Sequence, residues 1–500
     1  MNTADFLLEN GLDDKPVIIN EKHKYTFRDL NIACGRMLVE LSSQGVLPED
    51  RVGIVGHDSL SWVAGYLATM KLGAVAVPFA ITMTEEDATR LQSFIKCKAV
   101  IFERKLMRRF IKAFPEPTKI IFDDVLDQPG RQEWPKYSDE ITLDSDAAFM
   151  FTSGTTARPR VVKVTHRNIQ ANTKSIIKYL NLSGCERVMA VLPFYYCFGT
   201  SLLHTHLRVG GSLVLTNSFV FPEIVLDSME RNECTGFAGV PSTYQTLLRN
   251  SSFPRRGWTH LTKLQQAGGK LQPVLIEELQ KAVPEAQVFV MYGQTEATAR
   301  LAYLPPELLT KKIGSIGKGI PDVTLRVLDE SGNPVKPGEV GEIYAQGDNI
   351  SPGYLNDPEA TSEKFINGVL KTGDLATVDE DGYIFVVDRK ADFIKSYGFR
   401  VSSQQVESVI VEIPEVVAAA VIGEPDLVRG EAIKAFVVLR TGTVISAQDV
   451  IKHCAHRLAN YMVPKEVIFI RQLPLNANGK VVKNELRNYS IPRTQLEKHL

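Results

Sequence analysis

The apolar positions of the chain fall first into short continuous runs, separated by stretches whose apolar residues recur at helical spacing. Arg51-Val52-Gly53-Ile54-Val55-Gly56, Gly73-Ala74-Val75-Ala76-Val77-Pro78, Lys98-Ala99-Val100-Ile101-Phe102 and Lys119-Ile120-Ile121-Phe122 each read as a buried strand. Helical patterns lie between them, one leading from Thr26 through Leu38 and Leu41 and one over 59–72. Strands that are apolar on both sides belong to a sheet covered on both faces, which predicts doubly wound α/β architecture. Ala147-Ala148-Phe149-Met150-Phe151 and the runs at 187–193, 211–215 and 287–292 continue the series into the middle of the chain.

From about residue 320 the texture changes. Thr324-Leu325-Arg326-Val327-Leu328 and Gly341-Glu342-Ile343-Tyr344-Ala345 alternate, with a turn at 329–334 between them. Asp379-Glu380-Asp381-Gly382 is a hairpin signal before Tyr383-Ile384-Phe385-Val386-Val387. From about 389, helices near 404–411 and 447–458 alternate with strands at 416–422 and 432–439. The expected division is a large N-terminal domain, 1–388, β-rich from about 320, and a small mobile α+β lid over 389–500.

Composition narrows the function. Five hundred residues, 44% of them hydrophobic, exceed what one core usually serves. A net charge of −1 gives no electrostatic case for nucleic acid or an anionic membrane. The six cysteines are scattered, with no Cys-x-x-Cys pair and no zinc spacing, so free thiols in a reducing cytoplasm are expected. The N-terminus lacks the basic and apolar regions of a signal peptide. No uncharged apolar run reaches about 18 residues, so a soluble chain without a transmembrane segment is expected. His204 and His206 stand two apart, share no helix face and have no carboxylate pair nearby, which argues against a metal there.

The candidate chemistry centres on Phe151-Thr152-Ser153-Gly154-Thr155-Thr156-Ala157-Arg158-Pro159-Arg160. A strand that gives way to hydroxyls, a glycine and cations offers an oxyanion both backbone N–H groups and side-chain donors. The spacing is not that of the Walker loop, and a polar surface turn fits it too. The stretch resembles the phosphate-binding loop of the adenylate-forming superfamily of acyl-CoA synthetases, peptide-synthetase adenylation domains and firefly luciferase. Ala157 and Val161 stand where that family usually has glycine, and Arg160 where it has lysine. Arginine keeps the charge and can grip a phosphate through two bonds.

Five further segments resemble the same family in its order. Ala267-Gly268-Gly269-Lys270-Leu271 is similar to the glycine-rich segment beside the adenine and the acyl group. Met291-Tyr292-Gly293-Gln294-Thr295-Glu296 follows a buried strand, where ligands collect in open α/β sheets. There the resemblance implies that Tyr292 stacks on adenine, Thr295 bonds the α-phosphate and Glu296 binds magnesium. Lys371-Thr372-Gly373-Asp374 would place Asp374 on the ribose hydroxyls, although Gly-Asp also fits a type I turn. Asp388-Arg389-Lys390-Ala391-Asp392 is similar to the family's hinge, with Arg389 on the ribose and Ala391 where Asp or Lys is usual. Continuing that segment, Gly398-Phe399-Arg400 resembles the loop that enters for thiol transfer. Pro474 to Lys480 resembles the segment whose lysine bridges the carboxylate and the α-phosphate.

The resemblance implies a free-standing ligase. An acid attacks ATP to give an acyl adenylate and pyrophosphate, and a thiol then displaces AMP. Catalytic roles fall to Lys480, Glu296, Thr295 and Arg160, with Thr152, Ser153, Gly154, Thr155, Thr156, Gly268, Gly269, Tyr292, Gly293, Asp374 and Arg389 holding the nucleotide and magnesium on Glu296. The thiol is coenzyme A or the phosphopantetheine of an acyl or peptidyl carrier protein. Leu192 to Gly199 carries no carboxylate for a substrate ammonium, so a fatty or aromatic acid is favoured. Its expected wall is Tyr195, Tyr196, Phe198, Phe237, Ala238 and Val240. Two alternatives stay open: an amino-acid ligase loading a carrier protein, and a nucleotide-binding protein without turnover.

Overall fold

The structure, a computed structural model, describes residues 1–127, 141–152, 160–216, 218–389, 393–476 and 479–489. Ser153 to Pro159 in the candidate phosphate loop, with Ser153, Gly154, Thr155, Thr156 and Ala157 among them, lie outside the described residues. So do the hinge residues Lys390, Ala391 and Asp392.

Four sheets organise the described residues. The six-stranded sheet runs Lys119–Phe122, Ala99–Phe102, Arg51–Val55, Val75–Pro78, Asp146–Phe151, Val161–Thr165, parallel except for its last pair. The nine-stranded sheet is parallel from Gln287–Tyr292 through Lys263–Gln266, Gly236–Gly239, Arg187–Ala190 and Ser212–Leu215 to Pro16–Ile19. Antiparallel strands close both of its edges. The apolar runs read from the sequence are buried strands of these sheets, except Lys119–Phe122, which is the edge strand of its sheet and buries only Ile121. Their residues feed one large core from both sheets, which also takes in Trp62, Tyr66, Phe194 and Phe198.

A third sheet pairs Thr324–Leu328, Gly341–Gln346, Val369–Val378 and Ile384–Arg389 antiparallel. A fourth sheet spans Ile394–Ser396 to Glu466–Phe469. The change of sheet therefore falls between 389 and 394. Within the fourth sheet Val416–Asp426 and Gly430–Leu439 form a long hairpin, and Glu466–Phe469 adds in parallel.

Two connections position the site. Asp146–Phe151 and Val161–Thr165 are the arms of one hairpin, so the candidate phosphate loop joins antiparallel strands. The sequence pattern gives the first arm as a strand but not the second. The helix His166–Leu180 starts directly after that arm. Thr165 caps the Asn168 amide, and the Asn168 side chain returns to the Thr165 amide, satisfying two otherwise orphaned donors. Asn168 then donates to the carbonyls of Asp348 and Ile350, tying the third sheet's connection to the helix.

The helix Cys197–Val209 is buried along nearly its whole length. His204 shares a hydrogen bond with the Tyr66 hydroxyl, and His206 pairs through Nδ1 with the Leu202 carbonyl. Burial holds both imidazoles neutral, pulling His204 down to about 3 and His206 to about 4, and His166 also falls to about 4. In the unfolded chain each would bind a proton near pH 6.5, so below that pH the unfolded state binds more protons. Each histidine contributes stability that is full above pH 6.5 and declines as pH falls towards 4, by up to about 1.4 kcal/mol per pH unit. Asp58, pushed up to about 7 by lost hydration, opposes this over the same range. Asp146 and Glu407 are raised by the same cause, but their partners Lys163 and Lys483 pull those two shifts back, and the large shifts of three histidines against that of Asp58 set the sign. The apparent melting temperature is expected to fall as pH is lowered from 6.5 to 4.5, and a flat or rising profile would contradict the buried neutral histidines.

Candidate active site

The site lies where the C-terminal ends of the parallel strands meet the C-terminal domain, around a cleft of about 730 Å³. Thr152, Tyr195, Gly268, Gly269, Lys270 and Lys480 are among its lining residues. The mouth of the candidate phosphate loop is closed by two hydrogen bonds between Thr152 and Arg160. The Thr152 amide donates to the Arg160 carbonyl at 3.0 Å, and the Arg160 amide to Thr152 Oγ1 at 3.3 Å. The Arg160 side chain is exposed, 3.9 Å from Asp357 and over the Tyr354 ring at 5.1 Å. Tyr354 donates its hydroxyl to Glu296 at 2.7 Å. Arg160 and Glu296 thus flank one tyrosine, a cation and a carboxylate on the same side of the loop's mouth.

Glu296 stands in a short 3-10 turn, Thr295–Ala297, after the strand Gln287–Tyr292. Thr295 Oγ1 lies 3.6 Å from Cys197 Sγ, at the first turn of the helix Cys197–Val209. Burial pushes the Cys197 thiol up. Thr298 follows with φ 65° and ψ −60°, and the Ala299 amide donates back to the Ala297 carbonyl at 2.7 Å. This is a γ-turn at a β-branched residue, a strained conformation of the kind that collects at functional sites. Asn349 clamps it, donating to the carbonyls of Ala297 and Arg300 while its own carbonyl accepts from Thr298 Oγ1. Gly293 is required here, since a Cβ would lie 1.8 Å from the Ala299 carbonyl oxygen.

Tyr292 donates its phenol to Asp374. Asp374 lies inside the long strand Val369–Val378 and not in a free turn. Gly373 before it takes φ +83°, and the register slips just beyond it. Across the strand pair Asp374 stands opposite Arg389. Asp374, assigned to the ribose, and the tyrosine assigned to the adenine are therefore brought together, with Arg389 at the facing register position.

Lys480 arrives from the C-terminal domain on a tight turn. Its amide donates to Asn476 Oδ1, and the Asn476 amide to the Lys480 carbonyl. Gly479 takes φ +73°, and its carbonyl accepts from Ser242 Oγ of the N-terminal domain at 2.9 Å. The Lys480 ammonium lies 5.9 Å from the Tyr196 ring centroid. Gly268, at φ +88°, makes room for it: a Cβ there would meet Val240 at 2.9 Å, the Tyr196 hydroxyl at 3.0 Å and Lys480 Cε at 3.6 Å. Gly269 shares that wall, and its carbonyl accepts from the Gln266 amide group.

Of the expected acyl wall, Tyr195, Tyr196, Phe198, Ala238 and Val240 share one core and are all buried. Phe237 is a correction. Alternation along the strand Gly236–Gly239 sends it to the opposite face, where it packs edge-on against Tyr244 at 5.8 Å in a separate core. Gly398, Phe399 and Arg400 form the turn and outgoing arm of a C-terminal hairpin. Phe399 is 54% exposed and stacks on Tyr461, and none of the three lines the cleft.

The sequence reading missed several groups. Asp58 accepts from the Phe194 amide at 3.0 Å, placing a carboxylate beside the segment that carries none of its own. Asp388 is fully buried and accepts from the Ser402 hydroxyl and from the amide and hydroxyl of Ser403, and Lys483 donates to Ser403 and pairs with Glu407. This network fastens the C-terminal domain next to the cleft. Arg300, lone in the sequence, is fully buried against the Phe198 ring. Position in sequence gives no signal for any of these, because each partner is remote along the chain.

The chain belongs to the AMP-binding enzyme family: that family's model matches residues 9–355, and the model for the family's C-terminal domain matches 405–480. Feruloyl-CoA synthase of Amycolatopsis sp is 33% identical over 475 residues, covering 92% of this chain and 93% of the relative. 2-Succinylbenzoate–CoA ligase of Bacillus subtilis is 30% identical, covering 95% of each. The solved o-succinylbenzoate CoA synthetase of Bacillus subtilis, in complex with its acyl adenylate, matches with a TM-score of 0.86 at 27% identity over 98% of each chain. The chain is thus an AMP-forming acid–thiol ligase, with a large N-terminal and a smaller C-terminal domain of mixed α/β fold. Among the described residues no helix is long and apolar enough to cross a membrane.

Proposed function

We propose that the protein joins a fatty or aromatic carboxylic acid to coenzyme A using ATP. In the first half-reaction a carboxylate oxygen attacks the α-phosphorus, the bond to the bridging oxygen breaks and pyrophosphate leaves. In the second a thiol gives up its proton, its sulfur attacks the acyl carbon, and AMP leaves with the bonding pair. The observation that carries this reading is Lys480, brought from the C-terminal domain to the Tyr196 ring and the Gly268 turn. There its ammonium offsets the negative charge gathered as two anions react. Arg160 and Thr152 act on the phosphates at the loop's mouth, together with the expected Ser153, Gly154, Thr155 and Thr156. Tyr292, Asp374 and Arg389 hold the nucleoside, and Thr295 the α-phosphate.

Glu296 fits magnesium. Its carboxylate is half-buried and takes one phenol bond, and among the described residues no cluster of three His, Cys, Asp or Glu competes for the ion. Magnesium characteristically takes one or two carboxylates and completes its shell with phosphates and water. When bound it neutralises phosphate charge.

Support for the acid and the thiol comes from relatives named for feruloyl, 2-succinylbenzoate and long-chain fatty acids, all CoA ligases, and from a solved homologue holding ATP and magnesium. The test is ATP–pyrophosphate exchange over a panel of aliphatic, aromatic and amino acids, followed by thioester formation with coenzyme A and with a phosphopantetheinylated carrier protein. Exchange with apolar acids and transfer to coenzyme A are expected. Exchange with amino acids alone, or ATP binding with no acid-dependent pyrophosphate release, overturns the reading.

A further inference from the structure

Arg300 is 1% exposed, and among the described residues it pairs with no carboxylate. Its main chain is fixed: the amide donates to Asn172 Oδ1, and the carbonyl accepts from Asn172 and Asn349. The strained turn at Thr298 sets the direction in which the residue leaves the Glu296 segment. Its guanidinium carbon sits 3.8 Å from the centroid of the Phe198 ring, and Nε and Nη2 find no hydrogen-bond partner. Phe198 in turn meets Tyr196 edge-on at 6.4 Å, and Lys480 lies over Tyr196. Two cations therefore bracket one aromatic pair, Lys480 at the reacting end and Arg300 at the far end. Burial raises the thiol of Cys197 and the phenols of Tyr196 and Tyr179, and the guanidinium opposes that rise at each, so its charge is felt along this wall.

An aromatic face offsets part of the cost of burying a guanidinium, but two of its nitrogens are left without an acceptor. Protein groups that are buried and polar are almost always paired, and a group that is not calls for its own explanation. We propose that Arg300 is a specificity residue that receives a second oxygen acceptor on the acid substrate, remote from the carboxyl that is activated. A second carboxylate matches its planar pair of donors best, and a keto or phenolic oxygen shares the chemistry. The inference rests on the reading that the acyl group lies against Tyr196 and Phe198.

The experiment compares matched acids of equal length, with and without a distal carboxylate, keto or hydroxyl group, in wild type, Arg300→Met and Arg300→Lys. Wild type is expected to favour the second acceptor in kcat/KM for pyrophosphate exchange on the order of a hundredfold, because the plain acid leaves buried donors unpaired. Arg300→Met brings the ratio close to one, and Arg300→Lys keeps a preference for the dicarboxylic acid only. Calorimetric binding of the same pairs in the presence of AMP reads the preference without turnover. No wild-type preference in either measurement overturns the proposal. So does an Arg300→Met variant that loses all acids alike and keeps their ratio, the mark of a merely structural arginine. Absence of exchange with every acid counts against the ligase reading, while binding still decides the role of Arg300.

Discussion

Replacing Lys480 with alanine is expected to slow acyl-adenylate formation by about 10²- to 10³-fold and to leave ATP binding almost unchanged. The reason lies in what the ammonium does and when. On the proposed reading the nucleotide is held by the N-terminal domain and the third sheet, at Thr152, Arg160, Tyr292 and Asp374, whose own bonds do not run through Asn476 or Lys480. In the proposed reaction the lysine acts where a carboxylate and a phosphate approach each other, so its charge counts most as they react. Exchange of labelled pyrophosphate measures the loss, and equilibrium binding of ATP supplies the control. Supplied acyl adenylate should still pass to coenzyme A at nearly the wild-type rate, since that step breaks no bond at phosphorus. Full exchange by Lys480→Ala would remove the lysine from the chemistry.

What the sequence revealed of this site follows from how local each signal was. Buried parallel strands announce themselves by continuous apolar runs, so Arg51–Val55, Ala99–Phe102 and Gln287–Tyr292 were legible. The arm Val161–Thr165 was not, because five residues with one lysine, next to a conspicuous polar loop, carry too little pattern to stand out. The strand Gly236–Gly239 begins and ends in glycine, which hides its period of two, and so Phe237 was assigned to the wrong face. Asp374 read equally well as a turn, since a glycine at positive φ inside a strand has the composition of one. Motif order alone linked Lys480 to a loop more than 300 residues earlier, and only the fold could add what holds it there. Arg300 was invisible for the opposite reason: an isolated arginine is ordinarily a solvated one, and its burial comes from Asn172, Phe198 and Asn349, which no sequence window contains.

The second large effect is expected at Arg249, which touches no substrate. It ends the helix Pro241–Arg249, and its side chain is fully enclosed. Its guanidinium holds Glu278 at 2.7 and 3.2 Å, and it donates across the domain boundary to the carbonyls of Val411, at 3.0 Å, and Val416. Val411 ends the first helix of the C-terminal domain and Val416 begins its long strand, so one side chain satisfies two backbone acceptors of the domain that carries Lys480. Arg249→Met keeps the bulk and removes every bond. Losing one partner of a buried pair costs about 3–5 kcal/mol, and the lower end applies here because Glu278 keeps some access to water. Since about 1.4 kcal/mol is tenfold in a population, the docked arrangement that presents Lys480 should become scarce. Adenylation is therefore expected to fall at least about tenfold with little change in the KM for ATP, and the C-terminal domain should unfold at a lower temperature than in wild type. Glu278→Gln, which leaves the carbonyl contacts in place, should retain most of the activity. If Arg249→Met adenylates at the wild-type rate, the lysine is held in place by the Ser242–Gly479 contact and the Asp388 network, and the arginine serves the N-terminal domain alone.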